Sequence, residues 1–570
     1  PGPLLSGEIV RPGLRLAARG LAAAACAATA GCHRGLDREV ERGIERQVAE
    51  RQGPSWLRGT RWRLIQQVYQ DRDNRPIWLS AGRPGGKARD LIRAICRSGD
   101  EGLRPADYDL TGLRSSLRKV KDAKDRDPGE LASLDLRFTA LLLGFGGDVL
   151  SGRLDPRTVD DGWFLTARRS SIDSTLRAAL RDDASPDVLA SLRPKQREYR
   201  ELVEALDDYR KILAKGGWGT VPPGRALERG DKGERVAALR KRLHATGDLD
   251  TGKHSDAFDH DVAEAVASFR VRHGLSPDSV ADAATIGAMN VPVETRIRQI
   301  ELNLDRYRWL PAELTDRYVL VNIPDFHLYA YDDGKLRFEQ RVIVGDQYQN
   351  ATPVFADSMT YLVFRPEWNV PPSILAREIL PRLQDNDDYD LAAQGLEVVD
   401  SNGKVVKDPS EIDWDDEDTT DLHYRIRQKP GPTNALGRVK FMFPNRFNIY
   451  LHDTPSRKLF ERSQRTLSHG CVRVENPAQL ANFALDGQDG WNDGKIEAAM
   501  DDTAGKGNRM VSLAEPLPVY LLYLTAYVRD GRVQFRNDPY GKDRRGLSRL
   551  GAPALEEPPV CRELLDLLGD

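Results

Sequence analysis

FNIYLHDTPSRKLFERSQRTLSHGCVRVENP, residues Phe447–Pro477, is the stretch from which the rest of the chain is read. Phe447, Ile449 and Leu451 alternate with Asn448 and Tyr450, so 447–451 reads as the end of a strand. His452 then stands at a strand exit. The polar stretch from Asp453 to Arg465 has room to loop out and return to Ser468-His469-Gly470-Cys471. Gly470 lets the backbone come close to whatever Cys471 attacks. The chemistry this spells is a cysteine nucleophile with a histidine base. A free thiol titrates near ~8.5, and a nearby imidazole raises its thiolate fraction. The Cys471 N–H and a neighbouring N–H are candidate oxyanion donors. A cysteine and a histidine without context read as a structural thiol beside a surface imidazole. Only the local spelling lifts this pair above that.

YLHDTP followed by SHGCVRVENP resembles the active-site signature of the L,D-transpeptidases, bacterial enzymes that join peptidoglycan stem peptides through a cysteine acyl-enzyme. VLVNIPDFHLYAYDDGKL (319–336), RVIVGDQYQNATPVF (341–355), YLVFRPEWNVPPSI (361–374) and RIRQKPGPTNALGRVKFMFPN (425–445) resemble, in order, blocks of the large periplasmic members. The likeness covers most of the chain beyond about residue 220 and is weaker before it. It implies a multidomain α+β protein: a β-sandwich-like catalytic domain, a helical scaffold and a three-helix peptidoglycan-binding-like domain.

The chain has 570 residues, too many for one core, with 40% apolar and 30% charged residues. A net charge of −3 gives no electrostatic case for nucleic acid. Residues 1–35 read as an export leader: Arg11, Arg15 and Arg19 precede an alanine-rich run. Ala28-Thr29-Ala30 offers an A-x-A cleavage site, and Gly31-Cys32 resembles a lipoprotein box with Cys32 acylated, although Thr29 stands where such boxes usually carry Leu. Residues 36–222 read as a helical scaffold, with Arg38–Gln52 as a charged stalk and Leu131–Leu150 as a buried helix whose Arg137 and glycines argue against a membrane span. Residues 223–295 read as the small helical unit, with Val236, Leu239 and Leu243, then Val262, Val266 and Phe269, at helical spacing. They resemble a peptidoglycan-binding module, although Asp278-Ser279 replaces its usual Asp-Gly. His254 and His260 lack the HExxH pairing of a metal site and read as solvated.

Residues 296–541 are assigned to the catalytic domain. Its strands are Tyr318–Ile323, His327–Tyr331, Phe338–Val344, Tyr361–Phe364, Val439–Phe443 and a late strand or strand pair over Leu517–Tyr527, followed by Gly531 and Val533–Phe535, with Asp332-Asp333-Gly334 as a hairpin turn. Residues 371–425 interrupt the strands with a helix at Ser373–Leu383 and an acidic run at 411–421 that reads as a solvated face; the insertion resembles a capping subdomain. Asn492–Asn508 reads as a polar loop, and 542–570 as a peripheral charged tail. Cys96, Cys471 and Cys561 remain outside the leader, with no evident disulfide framework; an odd thiol suits a nucleophile.

The resemblance implies that Cys471 attacks the third residue of a donor tetrapeptide, that D-alanine leaves, and that an acceptor stem's amine completes a 3→3 cross-link, with His452 moving the protons. Tyr450, Ser468, His469, Gly470 and Arg473 are the oxyanion or substrate-binding candidates. Arg473's planar fork suits a carboxylate, or a structural ion pair. No metal or organic cofactor is called for. Donor and acceptor stems are the expected partners, other cell-wall synthesis proteins a further class. The expected location is the periplasm of a Gram-negative-type bacterium, with attachment at Cys32 or through the leader. The same thioester given to water makes an L,D-carboxypeptidase, and given to a lipoprotein lysine a protein-anchoring enzyme. A non-catalytic wall-binding scaffold needs neither His452 nor Cys471. A papain-like protease has the opposite order of cysteine and histidine. Carbapenem sensitivity through Cys471 is a further implication of the resemblance.

Overall fold

The computed structural model describes residues 35–50, 60–165, 174, 177, 180, 190–250, 255–311, 313–348, 350–385, 390–414, 423–502, 507–551 and 557–569. The leader with Cys26 and Cys32, His254 and most of the acidic run lie outside these residues.

The scaffold is built around one long helix. Helices α1 (35–49), α2 (Thr60–Gln70), α3 (Gly86–Cys96) and α4 (Leu110–Asp122) share a core with α5 (Pro128–Ser151). Asp127 caps α5 by accepting the Gly129 N–H at 2.8 Å, and Pro128 suits its first turn. Its residues are apolar almost all round, so it is buried almost all round. Among the described residues no helix is long and apolar enough to cross a membrane. The expected stalk is instead part of this core: Val40, Ile44 and Val48 of α1 repeat every four residues and are buried.

Helix α6 (Arg197–Ala214) precedes the small helical unit, α7 (Glu234–Ala245), α8 (His260–Arg272) and α9 (Ala283–Met289), packed through Val236, Leu239, Val262 and Phe269. Asp278 is a structural turn residue here, holding the Arg270 guanidinium at 2.7 Å and the Val280 N–H at 2.9 Å. Helix α10 (Val293–Arg308) follows and is buried along nearly its whole length. A domain boundary at 296 therefore cuts a helix. Arg306 and Arg308 tolerate burial because Asp543, at 2.7 Å, and Asp305, at 2.9 Å, pair with them.

The catalytic sheet has nine strands. They are β1 (Tyr318–Asn322), β2 (His327–Asp332), β3 (Lys335–Gly345) and β4 (Phe355–Phe364), then β8 (Val439–Met442), β9 (Leu451–His452), β10 (Thr466–Ser468), β11 (Val472–Val474) and β12 (Arg509–Leu522). Their order is β10-β3-β11-β9-β8-β4-β12-β1-β2. β2 also pairs with β3, so the sheet closes on itself around a shared core. Asp333 and Gly334, both left-handed, form the β2–β3 turn.

Between β4 and β8 the chain leaves the sheet to build a second, small core. A three-stranded sheet, β5 (Trp368–Asn369), β6 (Leu396–Val399) and β7 (Arg425–Gln428), packs with α11. Helix α11 runs as Pro372–Ile374, a π-helical turn Leu375–Ile379, and Leu380–Asp385.

Four local expectations change. The strand expected over 447–451 shrinks to Leu451–His452, because Asn445 bends the preceding residues. Its side-chain amide donates to the Phe443 and Ile449 carbonyls at 2.6 and 2.7 Å, and its oxygen accepts the Phe447 N–H at 2.9 Å. Helix α12 (Pro477–Leu485) is followed not by a polar loop but by α13 (Asp493–Asp501), which Asn492 caps at the Lys495 N–H. β12 begins at Arg509 and is followed by the hairpin β13 (Ala526–Arg529) and β14 (Arg532–Phe535). This hairpin holds the small helical unit: Arg272 donates to the Val533 carbonyl at 2.9 Å and Arg532 pairs with Asp248 at 2.6 Å. The C-terminal segment is not peripheral. Gly546 of α14 (Lys542–Leu550) lies against Leu302, and α15 (Pro559–Leu568) packs on the scaffold with Cys561 and Leu564 fully buried. Cys96 and Cys561, 465 positions apart, form a disulfide. One bridge joining the chain's ends leaves no local cysteine spacing for sequence reading to find.

Candidate active site

The site follows from sheet register. β9 and β11 are parallel, with Leu451 opposite Val472 and His452 opposite Arg473. Side chains alternate along a strand. Leu451 and Val472 are fully buried in the core. Tyr450, His452, Cys471 and Arg473 therefore share the other face. Antiparallel β8 sets Lys440 opposite His452 and adds it to that face. The Tyr450 and His452 rings lie 5.7 Å apart.

His452 is buried. Its Nδ1 bonds the Asp453 carbonyl at 2.5 Å, which leaves Nε2 to act as the base. This carbonyl is the orienting group that the spacing alone did not identify. The Asp453 carboxylate is itself fixed, by the Arg438 and Thr454 N–H groups at 2.8 and 2.6 Å and by the Arg457 guanidinium. Burial, then the positive charge of Arg473, lowers the imidazole pKa to about 3.

Cys471 is half-buried and is the free cysteine among the described residues. Burial raises its pKa to about 11, against hydrogen bonding from the Tyr450 backbone and hydroxyl and the nearby Arg473 charge. The resting pair is thus neutral thiol and neutral imidazole rather than an ion pair. The thiol points at the Asn448 carbonyl, at 3.7 Å, and not at the imidazole. Asn448 has φ +54°, a left-handed conformation that asparagine tolerates.

The candidates around the thiol divide. Ser468 faces backbone: its hydroxyl accepts the Gly470 N–H at 3.2 Å and donates to the Cys471 carbonyl at 2.5 Å. It braces the turn, and it takes the Gly470 N–H away from any oxyanion. No acceptor among the described residues pairs with the Cys471 N–H, which makes this donor and the Tyr450 hydroxyl the available oxyanion groups. His469 is exposed and bonds the Glu378 carboxylate of α11, tying the capping subdomain to the cysteine loop. Arg473 is partly buried, its Nε without an acceptor, and it has no carboxylate partner among the described residues. Burial lowers the pKa of Lys440, against the opposing charge of Glu367. Lys440, Asn445, Asn448, Thr352 and Glu378 escaped the sequence reading. Strand pairing or long-range contact brings Lys440, Thr352 and Glu378 here, while Asn445 acts through bonds two to four positions along the chain.

Residues 316–496 match the L,D-transpeptidase catalytic domain, 63–206 a scaffold domain and 232–289 a "Putative peptidoglycan binding domain". A Haemophilus influenzae protein named "Putative L,D-transpeptidase" is 37% identical over 253 residues, 44% of this chain and 50% of its own length. The match thus spans about half of that relative. Among solved structures, an L,D-transpeptidase from Stackebrandtia nassauensis is 14% identical, covering 46% of this chain and 90% of its own, with a TM-score of 0.21. One from Xylanimonas cellulosilytica is 16% identical, covering 53% and 98%, with a TM-score of 0.16.

Proposed function

We propose that this chain, whose residues 316–496 match the L,D-transpeptidase catalytic domain, is a member of that family and cross-links peptidoglycan stem peptides through a Cys471 thioester. The observation that supports this reading is the single sheet face holding Cys471, His452, Tyr450, Lys440 and an Arg473 whose Nε has no acceptor.

The Cys471 thiol gives its proton to His452 Nε2 as the sulfur attacks the carbonyl of the donor's third residue. The oxyanion meets the Cys471 N–H and the Tyr450 hydroxyl. His452 returns the proton to the departing D-alanine amine. An acceptor stem's side-chain amine then attacks the thioester, loses a proton to His452, and releases the thiolate, which recovers it. The new amide is the 3→3 cross-link. A donor carboxylate fits Arg473. Its arrival offsets the charge that depresses His452, so the base strengthens as substrate binds.

A water-excluding cap favours the amine acceptor over hydrolysis, and the contact between Glu378 and His469 holds the cap at the site. The small helical unit supplies peptidoglycan affinity. The Cys96–Cys561 disulfide fits an oxidising compartment and supports a periplasmic location.

The test is mass spectrometry of disaccharide-tetrapeptide incubated with the enzyme and with Cys471→Ala. A dimer lacking one alanine, absent with the variant, is expected. Tripeptide alone would make the enzyme a carboxypeptidase. No product from either protein would overturn the reading.

A further inference from the structure

The Gly470–Cys471 peptide is held from one side by a bracket that lies mostly outside the cysteine motif. Thr352 is fully buried, and its hydroxyl donates to the Gly470 carbonyl at 2.8 Å. The same oxygen accepts the Gly345 N–H at 2.9 Å, so its donor and one acceptor position are both set. The Tyr540 hydroxyl donates to the Gly345 carbonyl at 2.7 Å and accepts the Thr352 N–H at 3.3 Å. Tyr540 is held in turn by its N–H to the Tyr523 hydroxyl, at 2.9 Å. Only glycine fits at 345, because a Cβ there would lie 1.8 Å from the Asn350 carbonyl oxygen.

In a trans peptide the C=O and the N–H point in opposite directions. Fixing the Gly470 carbonyl on Thr352 therefore fixes where the Cys471 N–H points. Gly470 has φ +109°, a region with little steric restraint on glycine, so the chain alone does not hold this plane. The neighbouring groups are committed: the Gly470 N–H and the Cys471 carbonyl to Ser468, and the Val472 N–H to the Tyr450 carbonyl. The Cys471 N–H is left over, aimed away from Thr352.

We infer that Thr352 is a positioning residue for the oxyanion site, and that Tyr540, beyond the matched catalytic segment, supports it through Gly345. The inference rests on the acyl-transfer reading of Cys471 but not on the identity of its substrate. Two reactions of the same sulfur separate the role from simple packing. Acylation by p-nitrophenyl acetate passes through an oxyanion; alkylation by iodoacetamide does not. Adducts on Cys471 are followed by intact mass, with Cys471→Ala as the blank.

Thr352→Val keeps the shape and removes the hydroxyl. It is expected to slow acylation about ten- to hundredfold, as for a misaligned catalytic group, while alkylation stays within about twofold of wild type. Thr352→Ser restores the hydroxyl and is expected to recover acylation. If Thr352→Val fails to fold, Tyr540→Phe decides, with a smaller loss in acylation alone. Unchanged acylation in the variants, or equal loss of both reactions, overturns the inference. So does a wild type that is alkylated but never acylated. A wild type acylated by the ester but inert toward tetrapeptide removes the proposed function and leaves this inference standing.

Discussion

Two buried polar clusters, one in the scaffold and one in the catalytic sheet, differ in how fully their hydrogen bonds are met. In the scaffold, Asp135 accepts the Tyr69 hydroxyl at 2.6 Å and the N–H groups of Ile77, Trp78 and Leu79 at 3.0, 2.9 and 3.1 Å. Thr139 bonds the Tyr69 hydroxyl and the Trp78 indole at 2.7 and 2.8 Å. In the sheet, Arg473 Nε is buried without an acceptor, no backbone carbonyl among the described residues meets the Cys471 N–H, and Lys440 feels only the more distant charge of Glu367. A closed network of buried polar groups stabilises a fold; an open one leaves room for a ligand. The first cluster holds structure together, and the second is prepared for substrate.

The largest effect belongs to the open cluster. His452→Gln keeps a polar side chain but removes the base, and turnover is expected to fall about 10²- to 10⁴-fold. The melting temperature should hardly move. A large drop in melting temperature with little loss of turnover would move His452 into the structural class.

The next prediction sets the clusters against each other. Asp135→Ala removes the acceptor of three backbone N–H groups, two of them buried, while the Tyr69 hydroxyl keeps Thr139, and is expected to cost about 3 kcal/mol of scaffold stability. The turnover of the protein that remains folded should persist. Arg473→Gln removes a half-buried cation with no carboxylate partner, so its stability should be unchanged or higher. Its kcat/KM should fall about ten- to hundredfold, the worth of a hydrogen bond to a charged group. Heat unfolding and kinetics on both variants check this. Equal destabilisation by the two would erase the distinction.

The same distinction explains what was legible in the sequence. His452 ends a short strand and Cys471 sits in the turn just before another, so the local spelling of one stretch picks out both. Asp333-Gly334 and the helix at 372–385 were equally local. The remaining site residues arrive from afar. Thr352 is 118 positions from Gly470, Glu378 is 91 from His469, and Tyr540 is 195 from Gly345. No period in the sequence encodes such contacts; the closure of the sheet makes them. The sequence leaves Ser468 among the oxyanion or substrate-binding candidates, whereas its hydroxyl bonds the Gly470 N–H and the Cys471 carbonyl. Its role inside the turn depends on the φ of Gly470, which a sequence does not print. The C-terminal helix was missed for a related reason. PVCRELLDLL sets Cys561, Leu564 and Leu568 on one helical face, but the scaffold partner bridged to it through Cys96 lies 465 positions away.

Titration sharpens the comparison at intermediate size. His452 is held to about 3 when folded, against ~6.5 unfolded. Between those values the unfolded chain takes up a proton that the folded site refuses, so stability falls as pH drops through the window. Cys471 is held up to about 11, against ~8.5 unfolded. The unfolded chain loses that proton first, so stability falls again as pH rises through the upper window. In kinetics, kcat/KM should lack the inflection near ~6.5 of an ordinary imidazole. Iodoacetamide labelling of Cys471 should keep accelerating above pH 9. A labelling plateau by pH 8 would mean a thiolate–imidazolium pair, which burial of this cluster opposes.

The smallest effect lies at the seam between sheet and cap. Glu378 and His469 are each more than a third exposed, at 44% and 41% of their side chains. A contact in that setting, an ion pair only when His469 is protonated, contributes at most about 1 kcal/mol, and salt weakens its charged form. It therefore biases the cap toward closure by no more than about fivefold. Glu378→Gln should raise amide exchange in α11 and raise KM a fewfold with kcat unchanged, and high salt should imitate it in the wild type. The cap has its own apolar core, built on Leu375, Ile379, Val398 and Ile426, so the variant loosens the cap without unfolding it. A hundredfold loss of kcat in Glu378→Gln would contradict this, because a contact this exposed has too little energy to act except through the chemistry itself. Glu378 would then join His452 and Cys471 in the open cluster.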